Sequence, residues 1–493
     1  MYFDDHSLQE GLGRRALRGG AISIIGRAII ALVQVGSVVC LARLLTPEDY
    51  GLVAMVTALT GFAPVLVDLG TRDAVVQQLR ITEGDVSTLF WLTVGVGFSF
   101  ALAISASGPV IAAFYKEPQL TGLVAVSSLT FAASALTAQH QALLRRAVMF
   151  RELAIIDVTA AILSAGGAIA MAYFGLGYWA LVTRPVSMSS LMAAGVWWYC
   201  RWRPGRPVLT PAVKAMVKFG LNLTGFSMTD FVGGNGDRVL VGQRLGARTL
   251  GYYQNALFIY SNLLDVLIFP LHQVAVASLS KLQGDLGGFR RSWAKALSTV
   301  AFYAMPAFGI LAVTGADVVV MLLGEKWAET GVLLSVLALR GIPHSVERTL
   351  GWLHVAAGRS DRWLHWGVVA TCIQLLALFC GLPFGPLGIV CAYVIVMYIL
   401  FVPALAYAGA PSGIGARDVI RVVGAPLTGA LATAAVGFGL RASLVAGVQP
   451  VERLVILILT YVAMYIVVVV GLLKVREPMR VILSLIKAPS QNR

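Results

Sequence analysis

Residues 42–51 read ARLLTPEDYG, and two hundred positions later residues 242–251 read GQRLGARTLG. Each is a leucine, a turn and a glycine set between long apolar runs. A turn written twice at a constant offset points to an internal repeat, and the flanking runs decide what is repeated.

Those runs belong in a membrane. Of 493 residues, 58% are apolar and only 13% charged, and the mean hydropathy is +0.80, more apolar than a soluble chain of this size. A membrane-spanning helix takes about 20 apolar residues. Fourteen stretches qualify: 19–45, 49–77, 86–114, 119–144, 152–174, 176–200, 215–244, 250–280, 294–323, 329–356, 362–382, 386–409, 418–440 and 451–473. Short alternating segments of the outer-membrane barrel kind are absent. The predicted fold class is therefore an all-α integral membrane protein whose spans each close their own backbone hydrogen bonds. The polar N-terminus runs straight into a full span, with no short apolar core and small-residue cleavage site, which argues against a cleaved signal peptide.

With the N-terminus inside, most of the 38 Lys and Arg fall in cytoplasmic segments, among them Arg14, Arg15, Arg18, LRRAVMFR (144–151), RWRPGRP (201–207) and KLQGDLGGFRRSWAK (281–295). This is the positive-inside pattern, so the net charge of +14 reflects topology and not nucleic-acid binding. An even number of spans returns the tail, with Lys474, Arg476, Arg480 and Lys487, to the cytoplasm. Six crossings separate the two turns and place both on one side of the membrane. The expected repeats are thus parallel, related by an axis along the membrane normal, as in transporters that rock two bundles about a central site. The expected organisation is a cytoplasmic segment 1–18, a six-helix bundle 19–200, a basic linker 201–214, a second six-helix bundle 215–409, two additional transmembrane helices 410–475 and a cytoplasmic tail 476–493.

The runs ARLLTPEDYGLVAMVTALTGF (42–62), DLGTRDAVVQQ (68–78), HQALLRRAVMFRELA (140–154), GLGYWALV (175–182), GDRVLVGQRLGARTLGYYQNALF (236–258) and FPLHQVAVASLSKLQGD (269–285) come in order along the chain. They resemble the successive signatures of bacterial polysaccharide exporters and lipid-linked oligosaccharide flippases. These form the Wzx-like, colanic-acid-exporter-like branch of the MOP superfamily, which also holds MATE-like transporters. The resemblance implies a multi-pass inner-membrane protein that moves an undecaprenyl-pyrophosphate-linked sugar unit between leaflets. It implies a lipid-linked oligosaccharide and the bilayer as partners, a polysaccharide polymerase or chain-length machinery as a further one, and neither nucleic acid nor cofactor.

Such a cargo carries two phosphates and a hydrated glycan, so charges inside spans are the place to look; each costs about 2.5–3.5 kcal/mol at a helix centre. Arg27, in SIIGRAII, either receives pyrophosphate through its bidentate fork or snorkels to the headgroups. In the seventh span Ser227, Asp230, Gly234 and Asp237 recur at i, i+3, i+7 and i+10, a single stripe. Arg238, with Arg27 and Arg340 a candidate contact for phosphate or an acidic sugar, stands within pairing reach of Asp230 or Asp237, which would order these arginines or couple to an ion. That stripe faces either a cavity or an interhelical ion pair. In the tenth span Arg340, His344, Glu347 and His354 share a face, with Arg348 beside them and Pro343 between. It reads either as a proton-coupled or phosphate-handling site, since histidine titrates near neutrality, or as an internal network. Arg340 leans to ligand contact there, and Glu347 with Arg348 to the network. Asp68 and Asp265, 197 residues apart, are matching ion or hinge positions, or else satisfy backbone freed near Pro64 and Pro270. Arg184, beside Pro185, marks a helix break, and Gln139, His140 and Gln141 line a polar patch or an interhelical bond.

Enzymatic and metal readings find little to stand on. There is no GxxxxGK[ST] phosphate loop, and no HExxH, GxSxG or CxxC. Cys40, Cys200, Cys372, Cys380 and Cys391 lack the spacing of a disulfide framework or a zinc site and read as small hydrophobes. A glycan polymerase would carry a sizeable periplasmic loop, whereas all the predicted ones are short. A drug or cation antiporter would favour an acidic pocket, whereas here arginines accompany the acids.

Overall fold

The computed structural model describes residues 12–62, 67, 70–78, 81–208, 210–282, 285–356, 360–443 and 448–475. The described residues form fifteen α-helices: α1 (Leu12–Leu44), α2 (Pro47–Thr60), α3 (Thr71–Gln77), α4 (Glu83–Ala106), α5 (Gly108–Tyr115), α6 (Leu120–Arg146), α7 (Phe150–Tyr173), α8 (Trp179–Tyr199), α9 (Pro211–Ser280), α10 (Leu286–Leu323), α11 (Ala328–Ala356), α12 (Ser360–Gly381), α13 (Gly385–Gly409), α14 (Ala416–Ser443) and α15 (Pro450–Ile466). A π-helical turn, Val467–Leu472, continues α15. Twelve of the fourteen apolar stretches each fall on one of these helices, α15 with its π-helical turn for 451–473, or on an arm of α9; 86–114 spans α4 and α5, and 49–77 spans α2 and α3, with 63–66, 68 and 69 outside the described residues. Among the described residues, eight helical segments are long and apolar enough to cross a membrane. Leu32 and Leu102 are each 73% exposed and Leu459 65%; bare leucines along whole helices call for lipid, not water, as their solvent.

The turn at 46–51 is a helix start. Thr46 Oγ1 accepts from the Asp49 amide at 3.2 Å and Asp49 Oδ2 accepts from the Thr46 amide at 2.8 Å, the reciprocal capping box, with Pro47 at the first helical position. Two hundred residues on, α9 breaks at Gly246, whose φ of 83° and ψ of 173° glycine alone adopts readily. Gly246 thus stands where Thr46 stands, and 247–280 is a new helical arm. The two starts touch reciprocally. A methyl group on Gly51 would fall 1.7 Å from the Ala247 carbonyl oxygen, and one on Gly251 would fall 1.8 Å from that of Pro47. Contact of i with j and of j with i is the signature of a local two-fold axis.

The chain divides into two compact units, one through Gly251 and one from Tyr252. The division falls at the end of the second turn, one helix beyond the linker that opens the expected second bundle. In the first unit α1 packs along α7, α4 and α8 pack on α6, and α7 on α8, around a core including Val75, Leu89, Phe90, Leu143, Ile156 and Trp202. The basic linker is strapped across the start of α4. Trp91 Nε1 donates to the Gly205 carbonyl at 3.0 Å, the Gly205 and Val208 amides donate to Ser87 Oγ (3.0 Å) and Thr88 Oγ1 (2.7 Å), and Thr210 Oγ1 donates to Asp85. Gln139 donates to Thr71 Oγ1 at 2.9 Å, the interhelical bond expected of that patch. α8 runs through Pro185, so Arg184 marks no break; a proline costs a helix one amide donor without ending it when neighbours hold both halves.

In the second unit α10 is the hub, packing on α11, α14 and α15, while α11 and α12 pack on α13. Trp293 and Phe308 of α10, and Trp327 just beyond its end, are fully buried.

Candidate functional site

In the first unit a cluster of arginines surrounds one carboxylate. α1 lies close on α7 because Gly26 faces Ala154, where a methyl group would stand 3.3 Å from the alanine Cβ. That approach brings Arg27, next to Gly26, to the level of Asp157, three residues past Ala154 and so on the same face of α7. Asp157 feels the positive charges of Arg145, Arg72 and Arg27, in that order of strength, and its Oδ1 is buried with no hydrogen-bond donor. Arg146 donates to the Val75 carbonyl at 3.3 Å and to that of Gln78, closing the C-terminus of α3 and so fixing the helix that carries Arg72. Arg145, Arg72 and Arg27 thus lie within electrostatic reach of one carboxylate.

Arg238 sits apart from that cluster. Its guanidinium donates to Asn235 Oδ1, and its amide donates to Asp237 Oδ1 at 2.8 Å. Asp68 lies outside the described residues, as do the side chains of Ser227 and Asp230, so the far half of that stripe is not placed.

The second unit brings together most of the tenth-span stripe. The Tyr260 hydroxyl, from the second arm of α9, is 2.6 Å from His344 Nδ1, and the two rings are parallel within 15°. His344 Nε2 lies 3.7 Å from Glu347. The Arg340 guanidinium sits over the rings of Tyr260 (6.0 Å) and Tyr393 (5.5 Å), a cation–π setting for a charge inside a membrane helix. Arg348 does not join Glu347. It bonds Asp265 at 3.1 Å, and both of these side chains are half-exposed or more. Two arginines therefore meet two carboxylates, and the cluster balances. His354 stands apart, buried against the Tyr407 ring at 6.1 Å, a ring that Arg362 covers at 4.2 Å.

Asp157, Arg72, Tyr260 and Tyr393 were not singled out by the sequence reading. Asp157, alone among the apolar residues of AIIDVTAA, carries the same signal as Arg27, a charge inside a span. The tyrosines carry none, because an aromatic residue in a membrane helix is ordinary. Among the described residues no group of three or more His, Cys, Asp or Glu could hold a metal ion.

Residues 40–331 match the model of a family described as "Polysaccharide biosynthesis protein". The teichuronic acid biosynthesis protein TuaB of Bacillus subtilis (strain 168) is 27% identical over 380 residues, 76% of this chain and 78% of that one. The lipopolysaccharide biosynthesis protein WzxC of Escherichia coli (strain K12) is 24% identical over 402 residues, 79% of this chain and 80% of that one. Among solved structures, the lipid II flippase MurJ in an inward closed conformation superposes with a TM-score of 0.70 at 14% identity, covering 92% of this chain and 99% of that one. At that identity the likeness concerns the fold.

Proposed function

Because the chain belongs to the family of polysaccharide biosynthesis proteins, we propose that it translocates a lipid-linked oligosaccharide, the undecaprenyl-pyrophosphate-bound repeat unit of an exopolysaccharide, capsule or lipopolysaccharide, by alternating access and without covalent chemistry. The relatives take part in making such polymers, and the fold is that of a solved lipid flippase. The observation that supports the reading is the gathering of Arg145, Arg72 and Arg27 within electrostatic reach of Asp157. A pyrophosphate offers acceptor oxygens that guanidinium forks match in pairs.

The second cluster, taken by itself, has a different chemistry. It carries no net charge and presents Tyr260 and Tyr393 beside hydrogen-bonding groups, so it receives hydroxyl-rich sugar rings without adding attraction for phosphate. The protein resides in the inner membrane with both termini in the cytoplasm, as the distribution of Lys and Arg favours, and delivers to a polymerase and its chain-length machinery. A cation antiporter is the rival; it would favour an acidic pocket, whereas here arginines accompany the acids.

The test is a strain carrying Arg27→Ala with Arg145→Ala. Surface polymer should be lost at unchanged protein level while lipid-linked units accumulate in the inner leaflet. Normal polymer from that strain would defeat the assignment.

A further inference from the structure

α14 and α15 are the last two spans, and their attachment to α10 is built at two levels. At one level Asp317 of α10, only 4% exposed, lies between two guanidiniums: Arg453 Nη2 donates to its Oδ1, and Arg441 Nη2 stands 3.2 Å from its Oδ2. Arg441 also donates to the Val313 carbonyl at 2.6 Å. Arg441 closes α14 and Arg453 opens α15, so one carboxylate holds both helices where they meet. At the other level the Tyr465 hydroxyl of α15 donates to the Phe302 carbonyl of α10 at 2.9 Å. Between these levels the Tyr461 hydroxyl donates to the Ala430 carbonyl of α14, also at 2.9 Å. From Phe302 to Asp317 is about 22 Å of helix at 1.5 Å per residue, so the pair is pinned at points too far apart for it to pivot on either.

We infer that Asp317, Arg441 and Arg453 are a positioning latch that fastens α14 and α15 to α10, so that the three helices keep one arrangement throughout transport and the seam between α10 and α14 never opens. A carboxylate this buried is tolerable only while it is paired, and breaking a buried cluster by removing one member leaves the remaining charges uncompensated. The latch therefore holds or fails as a unit. The mobile parts of the carrier, and any side opening for a lipid tail, lie away from this seam.

The Val313–Gly437 contact supplies a covalent test. A Cβ on Gly437 would lie 3.7 Å from Val313 Cβ, inside the range of about 3.5–4.5 Å that a disulfide spans. In a chain whose five native cysteines are replaced by alanine, Val313→Cys with Gly437→Cys should oxidise to a cross-link, read as a mobility change after cleavage between the two positions. Surface polymer should be the same whether the cross-link is oxidised or reduced; loss on oxidation with recovery on reduction overturns the inference. Asp317→Asn alone should lower polymer output by at least about tenfold, as loss of one member of a buried ion cluster implies, and the cross-link should restore it. If the cross-link forms but does not restore output, Asp317 acts on cargo and not as a latch. The polymer readout rests on the proposed function, whereas the cross-link does not. Should deletion of the gene leave the polymer unchanged, that function fails, and the latch is still judged by a slower cross-link in Asp317→Asn than in the parent, equal rates overturning it.

Discussion

The arginine cluster of the first unit and the tyrosine–histidine cluster of the second differ in one decisive respect. Arg145, Arg72 and Arg27 act electrostatically on Asp157, whereas in the second unit Arg348 bonds Asp265 directly and Glu347 lies beside His344. Their surroundings differ as well: Arg27 and Arg145 are exposed on their helices, while Tyr260 is 2% exposed and hydrogen-bonded to its histidine. On the proposed function the first cluster would be where an anionic group of the cargo arrives, while the second, with its paired charges, is a structural surface of the second unit.

The largest expected effect tests the first half of that contrast. Replacing Arg27 and Arg145 together by alanine removes two charge-assisted contacts of about 1.5–3 kcal/mol each, and surface polymer should fall roughly 100-fold while the melting temperature stays the same or rises. A melting temperature that falls with the polymer would place these arginines among the fixed parts. Next in size, Glu347→Gln unbalances the second cluster by leaving Arg340 without its compensating charge. Since Glu347 is partly exposed, the loss is held to about 1–2 kcal/mol, below that of a fully buried pair, and is read in a denaturation midpoint. Tyr260→Phe removes one hydrogen bond and should cost about 1 kcal/mol, read in the same denaturation midpoint. The smallest effect belongs to Asp265→Asn, which breaks an exposed pair worth about 0–1 kcal/mol; a loss of transport much larger than that would move Asp265 and Arg348 from structure to cargo handling.

The helices were legible because their signal is local. An apolar run long enough to span a bilayer has few alternatives to a helix, and the described residues of the fourteen runs are overwhelmingly helical. The repeat was legible too, in the pairing of Leu45 with Leu245 and Gly51 with Gly251 at one offset, although nothing in one dimension says that the two glycines meet. Partnerships were the opaque part. Arg348 looks to its sequence neighbour Glu347 on paper and bonds Asp265, 83 residues away, in the fold. Asp317 passes as an acid near a span's end until Arg441 and Arg453 close on it. A periodic stripe tells which residues share a helix face, but the partner that neutralises a charge is chosen by packing between helices. The turn at Pro185 was misjudged for a related reason, since flanking helices sustain a helix that its own sequence would interrupt.

The reciprocal contact at Gly51 and Gly251 makes each turn a constraint on the other. Each glycine's missing methyl is room taken up by the other turn's main chain, so a side chain gained at either position collides with that main chain. The two turns otherwise agree only at Leu45 and Leu245, and at this pair of glycines neither tolerates a larger residue. Exchanging residues 46–51 and 246–251 would show whether the two turns are interchangeable.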